Sequence, residues 1–399
     1  MNRMRIEKMW LIPAVALLAA LALPAVAQQA SIAIGPYVQN VGKDCATICW
    51  ETPSEEIAYE PATLDKKTAV RGYQHHELTL RYLQPGTTYN YDVLRDGTDA
   101  GKGAFTTLPE GEHPFSFVTL ADCHNYLCEP IVKQVMKDKP DMVFLPGDLV
   151  YDGLVMFHWE DWFRVNRELM RSVPYYPALG NHELDSPLYF RFFALPGNER
   201  YYSFNRGAAH FVVLDSFGPR MRDVYWHDDE MATNQPVTKH QLEVFQQYHE
   251  QYWQDQLAWL KDDLGANQNA KYIFVFFHHP VYTSSSRGLE AAKRVRARFG
   301  SIFQDYRVSA VFNGHDHHYN HVLVGGVHFI MTCAGGEPLG ADAPQAETIK
   351  TYKPHNYARV DVGPSSAHVR AVDIEGKQIE EFDIAPRASA VPAGSAVAK

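Results

Sequence analysis

Cysteine is scarce in this chain of 399 residues: there are five, an odd number, and none forms a Cys-x-x-Cys pair. That excludes a disulfide-dense scaffold and leaves no sequence pattern for a structural zinc site. Cys45 and Cys49 stand four apart on what reads as one strand, too distant to bridge if that strand is straight. Cys123 and Cys128 have the spacing to close a small loop, with buried free thiols the equal alternative for each pair. Net positive charge is lacking as well. The formal charge is −10, which argues against a nucleic-acid polymer as partner, because such binders carry a basic face. It does not argue against a small phosphate ester, since bound metal ions reverse the local sign. No apolar run is long enough to span a bilayer: the longest, Leu11 to Leu23, falls short of the ~20 residues that a spanning helix needs.

What is there begins with a leader. Arg3, Arg5 and Lys8 precede that run, Pro24 stops it, and Ala25-Val26-Ala27 supplies small residues at a cleavage point. Residues 1–27 therefore read as a signal peptide, which implies a secreted or periplasmic protein with no membrane span after cleavage. Hydrophobic residues make up 46% of the chain, enough for a sizeable core, and the length suggests two domains or one large one.

From 31 to 108 the pattern is all β. Tyr89, Tyr91 and Val93 alternate with polar neighbours, and Pro85-Gly86 and Asp96-Gly97 read as turns. A small β-sandwich is expected there. From 113 to 384 the texture changes to near-continuous apolar runs: Phe115-Leu120, Met142-Leu145, Tyr175-Leu179, Phe211-Leu214, Tyr272-Phe277, Val308-Phe312 and Val327-Thr332. Such runs suit strands buried on both faces. Helical spacing over Ile131 to Lys137 and Lys239 to Leu264 alternates with them, which argues for a layered α/β domain. Residues 216 to 238 read as a surface insertion, and 385–399 as a disordered tail.

Five of the runs end in metal-type side chains. They lead into Asp122-Cys123-His124, Gly147-Asp148-Leu149-Val150-Tyr151, Gly180-Asn181-His182-Glu183, His278-His279 and Gly314-His315-Asp316-His317. In open α/β sheets, ligands bind outside the carboxyl ends of the strands. Two carboxylates, one amide and several imidazoles exceed what one ion can use but suit two. A pair of ions ~3.5–4 Å apart supports in-line displacement at phosphorus and ionises a shared water near neutral pH. Each motif alone has a plain reading as a turn, a cap or a core histidine; only their conjunction points to metal. His318 and His321 are bystanders by default.

These five blocks, in this order, resemble the calcineurin-like metallophosphoesterase superfamily. Gly35-Pro36-Tyr37-Val38-Gln39, the Leu-Gln-Pro-Gly-Thr-Thr-Tyr stretch at 83–89 and Phe105-Thr106-Thr107 resemble the fibronectin-type-III-like N-terminal domain of purple acid phosphatases. The resemblance implies a two-sheet α/β/β/α sandwich preceded by a small β-sandwich. It also implies a phosphatase that hydrolyses small phosphate monoesters with a metal-held hydroxide. Asp148 would bridge the ions, with Asp122 and His317 on the first, Asn181, His278 and His315 on the second, and His182 as proton donor. Purple acid phosphatases have Gly at the position of His124 and a Tyr at that of Tyr151; this chain carries both His124 and Tyr151 as candidate ligands. A phenolate favours trivalent iron, while an added imidazole suits zinc, manganese or ferrous iron. The competing readings are a phosphodiesterase or nucleotidase on the same scaffold, a metallo-β-lactamase-type hydrolase from His315-x-His317-His318, and a surface binding module in which metal is only structural.

Overall fold

The computed structural model describes residues 3–8, 32–63, 66–95, 98–219, 224–227, 230–233, 238–337, 340–353 and 355–388. It divides into two compact units. The first comprises 1–110 with 163–175 and 191–194; the second comprises 111–162, 176–190 and 195–399.

The first unit holds two three-stranded antiparallel sheets. One is Ile34–Gln39, Ala46–Thr63 and Lys66–Leu80; the other is Arg3–Lys8, Thr88–Arg95 and Thr98–Thr106. Alternation along Thr88–Arg95 turns Tyr89, Tyr91 and Val93 inward, onto Val38, Ile48, Trp50, Leu80 and Phe105. Pro85 and Gly86 make the expected turn. Asp96-Gly97, the apolar run at 11–23 and the cleavage point lie outside the described residues. The backbone at Arg3–Lys8 pairs with Thr88–Arg95. The five cysteines form no disulfide with one another.

The second unit is built on two large sheets with helices on their outer faces, and also holds a two-stranded sheet, Val224–His227 with Glu230–Thr233. A six-stranded sheet runs in the order Gln378–Ile384, Ala367–Asp373, Asn356–Val362, Phe115–Thr119, Met142–Pro146, Tyr175–Ala178. A seven-stranded sheet runs Tyr202–Arg206, Ala209–Val213, Tyr272–Phe276, Ala310–Asn313, Val327–Met331, Tyr319–Val324, Thr348–Tyr352. The layer between them is aromatic. Phe144 stacks on Phe276 with centroids 3.9 Å apart, and Phe117 meets Phe274 edge-on at 5.2 Å. Alternate residues of the same strands face outward. Ile273, Val275 and Phe277 pack against Trp253 and Leu260 of the helix Lys239–Ala266 and Phe299 and Phe303 of the helix Leu289–Asp305. A strand caught between an aromatic layer and a helix layer has no wet face, which is why its sequence is apolar at every position.

All seven apolar runs became strands. Five of the six strands from Tyr319 to Ile384, all but Val327–Met331, were not read from the sequence, because they carry polar residues such as Arg359, Asp361, His368 and Arg370 among their apolar ones. The helix Lys239–Ala266 starts at a capping box, Thr238 with Gln241. The tail keeps a fixed place as far as Arg387, whose guanidinium donates to the carbonyls of Gln268, Ala270, Tyr306 and Arg307. Residues 389–399 lie outside the described set. No described helix is long and apolar enough to cross a membrane.

Candidate metal centre

The donor-bearing loops leave both sheets. Asp122, Asp148 and Asn181 follow strands of the six-stranded sheet; His278 and His315 follow neighbouring strands of the seven-stranded one. Facing sheets thus deliver their carboxyl ends to one rim.

Two donor groups form there. Ligand atoms of Asp122, His124, Asp148 and His317 lie within 4.8 Å of one another, and so do those of Asp148, His278 and His315. Asp148 belongs to both. Its Oδ2 is 3.1 Å from His278 Nε2 and its Oδ1 accepts the His182 amide at 2.9 Å. Asn181 joins the second group: its Oδ1 is 2.9 Å from His278 Nε2 and 3.1 Å from His315 Nδ1. Those two ring nitrogens are themselves 3.3 Å apart.

The rings are held by their other nitrogens. His278 Nδ1–H donates to the Pro146 carbonyl and His317 Nδ1–H to that of Glu337. A carbonyl accepts only, so the tautomer is set and Nε2 is left for an ion. His124 Nε2 is buried without any hydrogen-bond partner. An orphaned imidazole nitrogen beside two buried carboxylates is costly unless a cation takes it. The donor set therefore fits bound metal cations.

Backbone strain marks the same residues. Asp122, His124, Asp148, His315 and His317 have φ of +56°, +45°, +54°, +80° and +49°. Left-handed backbone costs on the order of 1–3 kcal/mol per residue and persists where surrounding structure enforces it. Packing is equally tight: a Cβ on Gly180 would collide with Asp148, and one on Gly314 would come within 2.7 Å of Asp122 Oδ2.

Burial also tunes charge. It pushes the His124 imidazole down to about 3; burial and then His278 do the same to His315, and burial lowers His317. Neutral imidazole is the form that coordinates metal. Burial opposes charge on His278 too, but the Asp148 contact prevails and raises it to about 9. Asp148 is likewise pushed up by burial yet held well below the usual carboxylate range by His278 and His182. Asp122, buried beside Asp148, goes well above that range.

Glu183, the last residue of the Gly180-Asn181-His182-Glu183 block, is a clamp. Fully buried, it accepts the amides of Gly180 at 2.6 Å, Asp148 at 2.9 Å and Leu149 at 2.8 Å. It ties the Asp148 loop to the Asn181 loop. Asn125 was missed altogether; its Oδ1 accepts the Tyr151 amide at 2.8 Å. Glu183 has no signal beyond its place inside a motif, and Asn125, one residue past its block, has none.

Tyr151 stands at the rim, 62% exposed, its ring centroid 6.1 Å from His124 and 5.4 Å from His182. His182 donates through Nδ1–H to the Tyr151 carbonyl at 2.7 Å, which leaves Nε2 3.9 Å from Asp148 Oδ2. His279 hydrogen-bonds Ser216 and stacks on Phe217. His318 turns away to the Asp316 carbonyl, and His321 to Glu380.

The family model for calcineurin-like phosphoesterases matches residues 114–319. Purple acid phosphatase 21 of Arabidopsis thaliana is 24% identical over 317 residues, covering 71% of this chain and 65% of that protein. Phosphoenolpyruvate phosphatase of Allium cepa is 26% identical over 277 residues, covering 62% and 50%. An uncharacterised Mycobacterium tuberculosis protein is 25% identical over 300 residues, covering 67% and 53%. The chain thus spans about half to two thirds of the length of these relatives. Among solved structures, a purple acid phosphatase from yellow lupin (Lupinus luteus) seeds superposes with TM-score 0.65 at 17% identity, over 88% of this chain and 74% of that one. PhoD superposes with TM-score 0.61 at 14% identity, over 92% and 94%.

Proposed function

The chain belongs to the calcineurin-like phosphoesterase family, and from that premise we propose that it is an exported phosphatase hydrolysing small phosphate monoesters at a two-metal centre. The observation that carries the reading is Asp148, whose carboxylate stands in both donor groups. We assign Asp122, His124, Asp148 and His317 to one ion and Asp148, Asn181, His278 and His315 to the other, with Tyr151 a rim residue that closes on the first. Zinc, manganese and iron all suit this mixture of oxygen and imidazole donors. Bound there, such ions would polarise the phosphoryl oxygens and would make a water molecule nucleophilic near neutral pH.

The chain supplies the rest. Asn181 positions the phosphoryl group over the rim, while the imidazoles hold the ions. His182 keeps Nε2 on the open side, because Nδ1–H is spent on the Tyr151 carbonyl. Protonated at Nε2, it hands a proton to the departing alkoxide. Glu183 holds both loops in register. We read the first unit as a fibronectin-type-III-like module, and residues 1–27 as its export leader.

The test is metal analysis of the purified protein together with a panel of mono- and diesters. Two equivalents of metal and hydrolysis confined to monoesters support the proposal. Preference for diesters would move it to a phosphodiesterase on the same scaffold. A metal-loaded protein inert on every ester would sink it.

A further inference from the structure

We propose that the N-terminal unit carries a second metal site, in which Cys49, His75 and Glu77 bind a zinc-type divalent cation. Ligand atoms of these three residues lie within 4.8 Å of one another. The sheet places them. Cys49 pairs with Glu77 and Glu51 with His75 across the antiparallel strands Ala46–Thr63 and Lys66–Leu80. Strand side chains alternate, so these four share one face, while Ile48 and Trp50 take the other and enter the sandwich core.

The second argument is how His75 is held. Its Nδ1 is 2.7 Å from Glu51 Oε1. A carboxylate accepting one ring N–H of a histidine is the usual support of a metal-binding imidazole, since it leaves the other nitrogen to the ion. Glu51 is fully buried and takes two further bonds from Arg191, Nε at 3.1 Å and Nη2 at 2.6 Å. That pairing neutralises Glu51, so it acts as a support and not as a ligand. A Cys49 thiolate and the Glu77 carboxylate would then balance the charge of one divalent ion. Zinc binds at ~2.3 Å to sulfur and ~2.0–2.2 Å to nitrogen or oxygen, so sub-ångström closure of the three donors completes the site, with water in the fourth position. Glu77 is exposed and Cys49 buried, which gives the ion an entrance from solvent.

Cobalt loading of the full-length protein tests this, because every donor assigned to the rim is oxygen or nitrogen. We expect a thiolate-to-cobalt charge-transfer band. It should vanish in Cys49→Ser, weaken in Glu77→Gln with at least ~10-fold poorer metal affinity, and disappear on zinc competition. Ester hydrolysis should persist in both variants. The proposal is overturned if cobalt-loaded, fully reduced wild type shows no such band, or if the band survives Cys49→Ser. The rim centre shares none of these residues, so either failure leaves the phosphatase reading intact.

Discussion

Along Tyr272–Phe276 every side chain is aromatic or aliphatic and buried; two residues further on, His278 is just as buried but aims a ring nitrogen at Asp148, Asn181 and His315. The two stretches belong to one continuous segment and serve opposite ends. The strand interior gains stability from stacked rings and ordinary extended backbone. The rim it reaches gathers buried carboxylates and imidazoles, unfavourable without a cation, together with left-handed φ angles on other loops. Stability in this unit is therefore concentrated between the sheets, and strain at their rim.

That contrast can be broken or sharpened by experiment. The largest effect should come from Asp148→Asn, which removes the charge shared by both donor groups. We expect a loss of at least ~10³-fold in kcat, about 4 kcal/mol, with an unchanged far-UV spectrum; retention of full rate would end the bridging assignment. Phe276→Ala should do the reverse. Opening a cavity against Phe144 and Phe312 should cost ~3–5 kcal/mol in urea unfolding, while activity per folded molecule stays near wild type. Chelation comes next. Metal at ~100 times its Kd should stabilise the folded chain by ~2.7 kcal/mol, and stripping it should lower Tm; an unmoved Tm would show that no cation binds the folded rim in preference to the unfolded chain. Glu183→Gln should reduce activity ~10–100-fold through the loops it holds. Its signature is a drop in metal affinity as well as kcat, which a merely structural substitution would not produce.

The smallest effect concerns pH. Burial, then His321, lowers His328 to about 4. Unfolded, this histidine titrates near ~6.5, so between those values the unfolded chain binds more protons. The contribution of this group to stability is complete above ~6.5 and lost as pH falls towards 4. His328→Gln should flatten the Tm profile over that window, and a profile as steep as wild type would assign the slope to other groups.

Much of the centre was legible in the sequence because strand-end motifs combine two short-range signals: an apolar run and donors just past it. Asp122, Asp148, Asn181, His278 and His315 all announce themselves this way. Glu183 and Asn125 did not, since hydrogen bonds from a side chain to a distant backbone amide have no sequence signature. Nor could the relation of His124 to Tyr151 be settled in one dimension. The fold leaves His124 Nε2 buried without a partner and sets Tyr151 at the exposed rim.

The sequence by itself determined the layered α/β class, the seven buried strands and the order of the donor blocks, because burial on both faces and strand-end chemistry are written in neighbouring residues. Only the tertiary structure decided that the donor strands divide between two facing sheets, that Glu183 bolts two loops together, and that Cys49, His75 and Glu77 share a face. Those outcomes depend on strand pairing and ring orientation between residues far apart in the chain, which local patterning does not encode.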